Sequence, residues 1–268
     1  MTKDKNCSKE RLIYIKKVKT EKILVIVLRI LVLALLMGLW ELCAYTGTID
    51  AFITSSPSRI FNTIISLFKE NNLLYHISIT LYETTLGFLI AVVLGYIIAL
   101  LLWLSERLRK ILEPYVVVLN SLPKIALGPI IIVWCGSGSK SIIFMATLIG
   151  IIVAIITMLN GFLSTDNNKI LLLRSLGASK LQILQKLVIP SSFPTFISML
   201  KICIGLAWVG SIMGEYLVSR AGLGYLIVYG GQVFKLDLVM ASTIILCFLS
   251  ALMYAIIALL EKILIKHN

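Results

Sequence analysis

Two ionisable side chains, Lys201 and Glu215, interrupt an apolar run from Phe193 to Leu217. A charge inside a membrane span costs about 2.5 to 3.5 kcal/mol on insertion scales, so each needs a partner or a wet lining. On one unbent helix they lie about four turns apart, too far to touch, which points to partners on other helices. Polar packing inside a bundle and lining of a translocation path are the two roles open to them. Trp208 and Lys124 join the same candidate path. Glu41 and Glu83 fall near span ends, within reach of water.

Other chemistry has less support. Cys7, Cys43, Cys135, Cys203 and Cys247 are odd in number and contain no CxxC pair, so neither a disulfide framework nor a zinc site is indicated. His76 and His267 stand far apart and outside any HExxH pattern, and no metal site is assigned. The segment CGSGSKS at 135–141 lacks the Gly that a phosphate-binding loop needs directly before its Lys, because Ser139 precedes Lys140. Its glycines, Gly136 and Gly138, suit a tight turn between two spans. No catalytic residue, cofactor or nucleotide site is assigned to this chain.

The elements that position these residues are membrane helices. Of 268 residues, 59% are hydrophobic and 14% charged, and mean hydropathy is +0.99; soluble domains carry about a quarter charged residues. Runs of about 20 apolar residues are needed to cross the hydrocarbon core as a helix. Six are expected: Ile23 to Tyr45, Ile79 to Leu104, Ile111 to Trp134, Ile142 to Leu163, Phe193 to Leu217 and Val239 to Leu260. The fold class is therefore an all-α polytopic membrane helix bundle. The first apolar run is longer than a signal peptide's and stays as an anchor, with Arg29 able to snorkel to the headgroups.

The net charge of +12 belongs to membrane topology rather than to a nucleic-acid partner. Lys3, Lys5, Lys9, Arg11, Lys16, Lys17, Lys19 and Lys22 precede the first run, which places the N-terminus in the cytoplasm by the positive-inside rule. Threading onward puts Arg107, Arg109 and Lys110 inside, then Lys169, Arg174, Lys180 and Lys186, then Lys262 and Lys266. Both termini are cytoplasmic. The chain divides into a basic tail (1–22), the first span with an extracellular segment (23–75), a transmembrane core (76–262) with an inner loop at 164–192, and a short end (263–268).

Two spans carry packing signals. Gly87, Ala91, Gly95 and Ala99 recur every fourth residue and make a smooth face for another helix, either in the bundle or across a subunit interface. Pro114, Pro123 and Pro129 interrupt the third span, with Asn120, Ser121 and Lys124 beside the break. A kink near a pathway and a break at the membrane interface both fit.

The inner loop reads as two short helices. Gly177 terminates a first helix running from about Asn167, Ser179 and Gln182 form a capping box for a second, and Pro190 ends it. Leu181, Leu184 and Val188 share one face of that amphipathic second helix, which could dock on a partner or lie on the bilayer surface.

The string LGASKLQILQKLVIPSSFP resembles the EAA loop of the transmembrane permease subunits of binding-protein-dependent ABC importers, in the nitrate, sulfonate and taurine branch. Gly177 and Pro190 match at the family's spacing, with Ile189 at the apolar position. SSPSRIFNTI at 55–64, LPKIALGPIIIVWCG at 122–136, LKICIGLAWVGSIMGEYL at 200–217 and AGLGYLI at 221–227 fit the same branch. The resemblance implies a type I importer permease: alternating access, a homodimer, ATPase subunits that use ATP and Mg, and an extracellular or lipid-anchored substrate-binding protein. It carries docking roles to Gly177, Ala178, Ser179 and Pro190 only; Arg174 and, on the apolar face, Leu184 complete the expected ATPase-coupling set. The Glu-Ala-Ala triplet of the motif is replaced by Leu171, Leu172 and Leu173, so no acidic contact carries over. The branch handles anions as well as pyrimidine vitamin precursors, with selection falling mainly to the binding protein. A secondary transporter or channel is the alternative class, and it would show midplane carboxylates or inverted halves; only Glu215 answers to that.

Overall fold

A computed structural model describes residues 9–70 and 73–265; the side chains of residues 9–13, 15, 16, 51 and 265 are outside that description. Lys3, Lys5, Cys7, Lys266 and His267 lie outside the described residues. Every regular element among the described residues is helical. Residues up to Thr63 form one compact unit and those from Ile64 another.

The first unit contains α1 (Lys9–Tyr45), α2 (Ala51–Thr54) and the start of α3 (Pro57–Lys69). The leading helix continues from the basic tail straight into the apolar run, and none of its most apolar window is buried. That is the expected state of a helix whose solvent is lipid. At its far end Glu41 does not simply reach into water: it accepts from the Ser58 N–H at 3.0 Å and the Ser58 hydroxyl at 2.7 Å, capping the start of α3.

The second unit holds α4 (Leu73–Leu104), α5 (Glu106–Ser121), α6 (Gly128–Cys135), α7 (Ser139–Leu163), α8 (Asn167–Ser175), α9 (Lys180–Ile183), α10 (Ile189–Ser191), α11 (Phe193–Val218), α12 (Leu223–Gln232) and α13 (Leu236–Ile265). With α1, four of these helices, α4, α7, α11 and α13, are long and apolar enough to cross a membrane. The expected third span is α5 and the segment 124–135, bent by 87°. Only one of its three prolines makes the break. Leu122, before Pro123, is forced to extended backbone (ψ 139°). Helix α5 runs through Pro114, and Pro129 sits at the start of α6 behind Gly128, which has no Cβ to clash with the ring.

The core of this unit is α7 held between α4 and α11. Gly87, Ala91, Gly95 and Ala99 face inward: a Cβ on Gly87 would lie 2.5 Å from Ala146 Cβ, and one on Gly95 would lie 2.5 Å from Ala154 Cβ. Gly150 in turn accommodates Ala91. The stripe is therefore spent on packing inside the subunit, the first of the two roles open to it. Close backbone approach maximises dispersion contact, which replaces the hydrophobic drive that lipid does not supply.

The span boundaries shift one expectation. Helix α4 begins at Leu73, six residues before the expected start, so Glu83 lies on its fourth turn instead of its second. It is only 1% exposed.

Candidate functional site

The inner loop forms as two helical pieces, and its local chemistry explains each turn. Asp166 caps α8 by accepting from the Asn168 N–H at 2.8 Å. Gly177, with φ +81°, ends it. The Ala178 N–H donates to Leu173 O and the Gly177 N–H to Arg174 O, both at 2.9 Å, which is the Schellman pattern that a left-handed glycine permits. Ser179 and Gln182 then make the expected reciprocal box, at 2.8 and 3.3 Å.

The second helix departs from expectation in two ways. Pro190 does not end it. A π-helical turn, Leu184–Val188, absorbs an extra residue, and the chain remains helical to Ser191. Leu184 also does not share an exposed face with Leu181. Leu184 and Val188 are buried among Ala154, Ile155, Met158, Leu159 and Phe162, whereas Leu181 is 58% exposed. The apolar side chains that the loop does expose are Leu171, Leu172, Leu176 and Leu181. Arg174 and Ser179 are exposed beside them, and Ala178 packs against the core. The loop is an apolar surface on a buried root.

The polar residues of the candidate path separate. Lys201 pairs with Glu261 on α13, which gives it the interhelical partner that an intramembrane charge requires. Lys124 donates to Asn120 O at 3.2 Å and stays at the bend. Trp208 is buried with Leu73, Ile204 and Leu223.

Glu215 lies elsewhere, at the opposite end of the bundle from the inner loop. Its Oε2 accepts from the Gly224 N–H at 2.6 Å. Thr80 accepts from the Leu223 N–H at 2.8 Å, and His76 Nδ1 from the Gly222 N–H at 2.9 Å. Three successive donors at the start of α12 are thus satisfied by side chains from α4 and α11. A Cβ on Gly222 or Gly224 would collide with the Glu215 carboxylate, so glycine is required at both positions for this approach. Glu83 faces the same carboxylate and the Ser139 side chain. Glu83 Oε2 and Glu215 Oε1 are buried without a donor.

Residues 91–267 match the family model described as binding-protein-dependent transport system inner membrane component. That match spans α7, the two-part inner loop and α11, well over half of the chain. The chain belongs to this family. A probable ABC transporter permease protein of Haemophilus influenzae is 31% identical, covering 84% of this chain and 91% of the relative. The formylaminopyrimidine transport permease ThiX of Halalkalibacterium halodurans is also 31% identical, over 86% of this chain and 92% of the relative. The putative aliphatic sulfonates permease SsuC of Bacillus subtilis is 28% identical, over 87% and 84%. An inward-facing MetNI methionine ABC transporter structure shares the fold, with a TM-score of 0.64 at 20% identity, covering 73% of this chain and 95% of that one.

This permease is accordingly the inner-membrane subunit of an ABC importer. It is a transport component, not an enzyme; ATP hydrolysis lies with a partner, and a substrate-binding protein completes the system. Four residues that hold this arrangement together escaped sequence reasoning. Glu261 sits near the end of an apolar run, where it reads as an interfacial charge. Glu83 was displaced by the late start assigned to α4. Gly222 and Gly224 entered only as part of AGLGYLI, although two glycines one residue apart at a helix start are themselves a signal of close approach.

Proposed function

We propose that the permease couples to its ATPase through the 164–192 loop, with the exposed leucines of α8 and α9 as the docking face. The observation that carries this is the division of labour within one short segment. Leu176 and Leu181 are 75% and 58% exposed, while Ile183, Leu184 and Val188, a few residues on, are at most 5% exposed. Burying one exposed leucine against a partner is worth about 1.5 to 3 kcal/mol, and the rooted half passes a push on that face into α7 and α11. Leu171 to Leu173 stand where the family motif has Glu-Ala-Ala, so the contact is apolar where relatives would place a carboxylate.

Both termini face the cytoplasm in this reading, two copies of the chain form the path in the lipid bilayer, and ATP with Mg is used by the ATPase pair. Gly177, Ser179 and Pro190 shape the loop; Arg174 lies in the last turn of α8 beside the leucines. The relatives include permeases named for sulfonates and for formylaminopyrimidine, and the small organic solutes those names span are the substrate class proposed here. Amide hydrogen exchange tests the docking face. Exchange across residues 167–181 should slow when the ATPase subunit is added to the reconstituted permease, and unchanged exchange there would remove the loop from the interface.

A further inference from the structure

A cavity of about 360 Å³ opens where α7 begins and α11 ends, the end of the bundle away from the inner loop. Tyr75, Glu83, Ser137, Ser139, Ser219 and Arg220 are among its lining residues. Its volume lies in the range of small-molecule sites. The wall is largely polar, in contrast to the mainly apolar and aromatic-rich groove beside Tyr96 and Phe196.

Glu83 sets the chemistry of this cavity. It lines the cavity while being 1% exposed, and its Oε2 has no donor. Glu215 lies behind it, with Oε2 held by the Gly224 N–H and Oε1 also without a donor. A buried acceptor left without a donor carries its full desolvation cost, and two facing carboxyl groups add repulsion. A ligand offering N–H donors and positive charge relieves both; an anion head would add to both. A metal is the less suitable guest, because the described residues contain no group of three or more His, Cys, Asp or Glu side chains able to hold one.

We propose that this cavity binds the protonated-nitrogen head of a small organic solute, with Glu83 as the contacting group and Glu215 as the residue that positions it. This rests on the permease reading and adds a substrate preference to it. Two kinds of solute share that head, an alkylammonium and a protonated aminopyrimidine. Arg220, exposed on the lining, can meet a sulfonate or a second polar group at the far end of the first kind.

Equilibrium binding to the permease–ATPase complex in lipid nanodiscs, free of binding protein, tests the assignment with three probes: taurine, 4-amino-2-methylpyrimidine and methanesulfonate. The nitrogen compounds should bind, one or both, and methanesulfonate should bind at least about tenfold more weakly than taurine, since it lacks the terminal aminomethyl group. Glu83→Gln should weaken nitrogen-probe binding by about tenfold or more, and Glu83→Asp should recover part of it. Methanesulfonate binding as tightly as taurine, failure of both nitrogen probes, or unaltered binding by Glu83→Gln would each overturn the proposal. Retention of the ATPase on the purified complex reads the permease assignment separately, and a melting curve of each variant reads its folding.

Discussion

Gly210 of α11 packs on the backbone of Ala146 of α7: a methyl group on Gly210 would lie 2.5 Å from Ala146 Cα. Ala146 also meets Gly87 of α4 through its Cβ, 2.5 Å from the position a Gly87 Cβ would take. Three helices therefore converge on one alanine, and neither glycine can grow without moving a backbone.

Gly210→Ala should destabilise the permease by about 1 to 3 kcal/mol, the cost of overpacking a filled core. Gly205→Ala on the same helix is the control, because nothing lies within 4 Å of its Cβ position. That variant should be neutral or stabilised by up to about 1 kcal/mol through the usual helical preference of alanine. Thermal unfolding in detergent with a fluorescent reporter distinguishes them, and equal melting points would contradict the packing described for Gly210.

Lys201→Met should lower the melting point of the subunit by leaving Glu261 without its partner. Adding Glu261→Leu should recover most of the loss, since an ion pair can be replaced by apolar residues at little net cost. Melting points of the two single variants and the double variant measure the coupling; additive losses would show that the pair is not energetically linked.

Gly177→Ala places a Cβ on backbone with φ +81° and should cost about 1 to 2 kcal/mol locally. The expected result is faster amide exchange at Gly177 and Ala178, whose N–H groups close the Schellman turn, with the exchange of α7 unaltered. Gly177→Asn should be the milder change, because asparagine tolerates the left-handed region.

Leu184→Asp should fail to fold, since it buries a carboxylate beside Met158 and Phe162, whereas Leu181→Asp should fold normally. The fraction of monodisperse protein recovered from membranes checks this. Normal recovery of Leu184→Asp would place its side chain on the surface instead.

The turns were legible before the structure because local rules decide them. Ser179 with Gln182 and the left-handed Gly177 need only their immediate neighbours, and both appear as expected. The four-residue stripe from Gly87 to Ala99 was legible as a packing face, but its partner was not, because spacing says nothing about which helix fills the groove. Leu184 shows the same limit in sharper form. Periodicity put it on one face with Leu181, and a π-helical turn together with the core around Phe162 separated the two. Glu83 was misplaced for a different reason: His76, Ser78 and Thr80 diluted the apolar signal, so the start of α4 was set too late and a deeply buried carboxylate looked interfacial.

The coupling role of the inner loop is tested most directly by ATP hydrolysis in proteoliposomes containing the permease, its ATPase and the loaded binding protein. With Leu176→Asp and Leu181→Asp introduced together, the permease should insert and fold, yet hydrolysis stimulated by the binding protein should fall at least about tenfold, because two exposed contacts of about 1.5 to 3 kcal/mol each are lost. Stimulated hydrolysis at the level of the unaltered transporter would contradict the account.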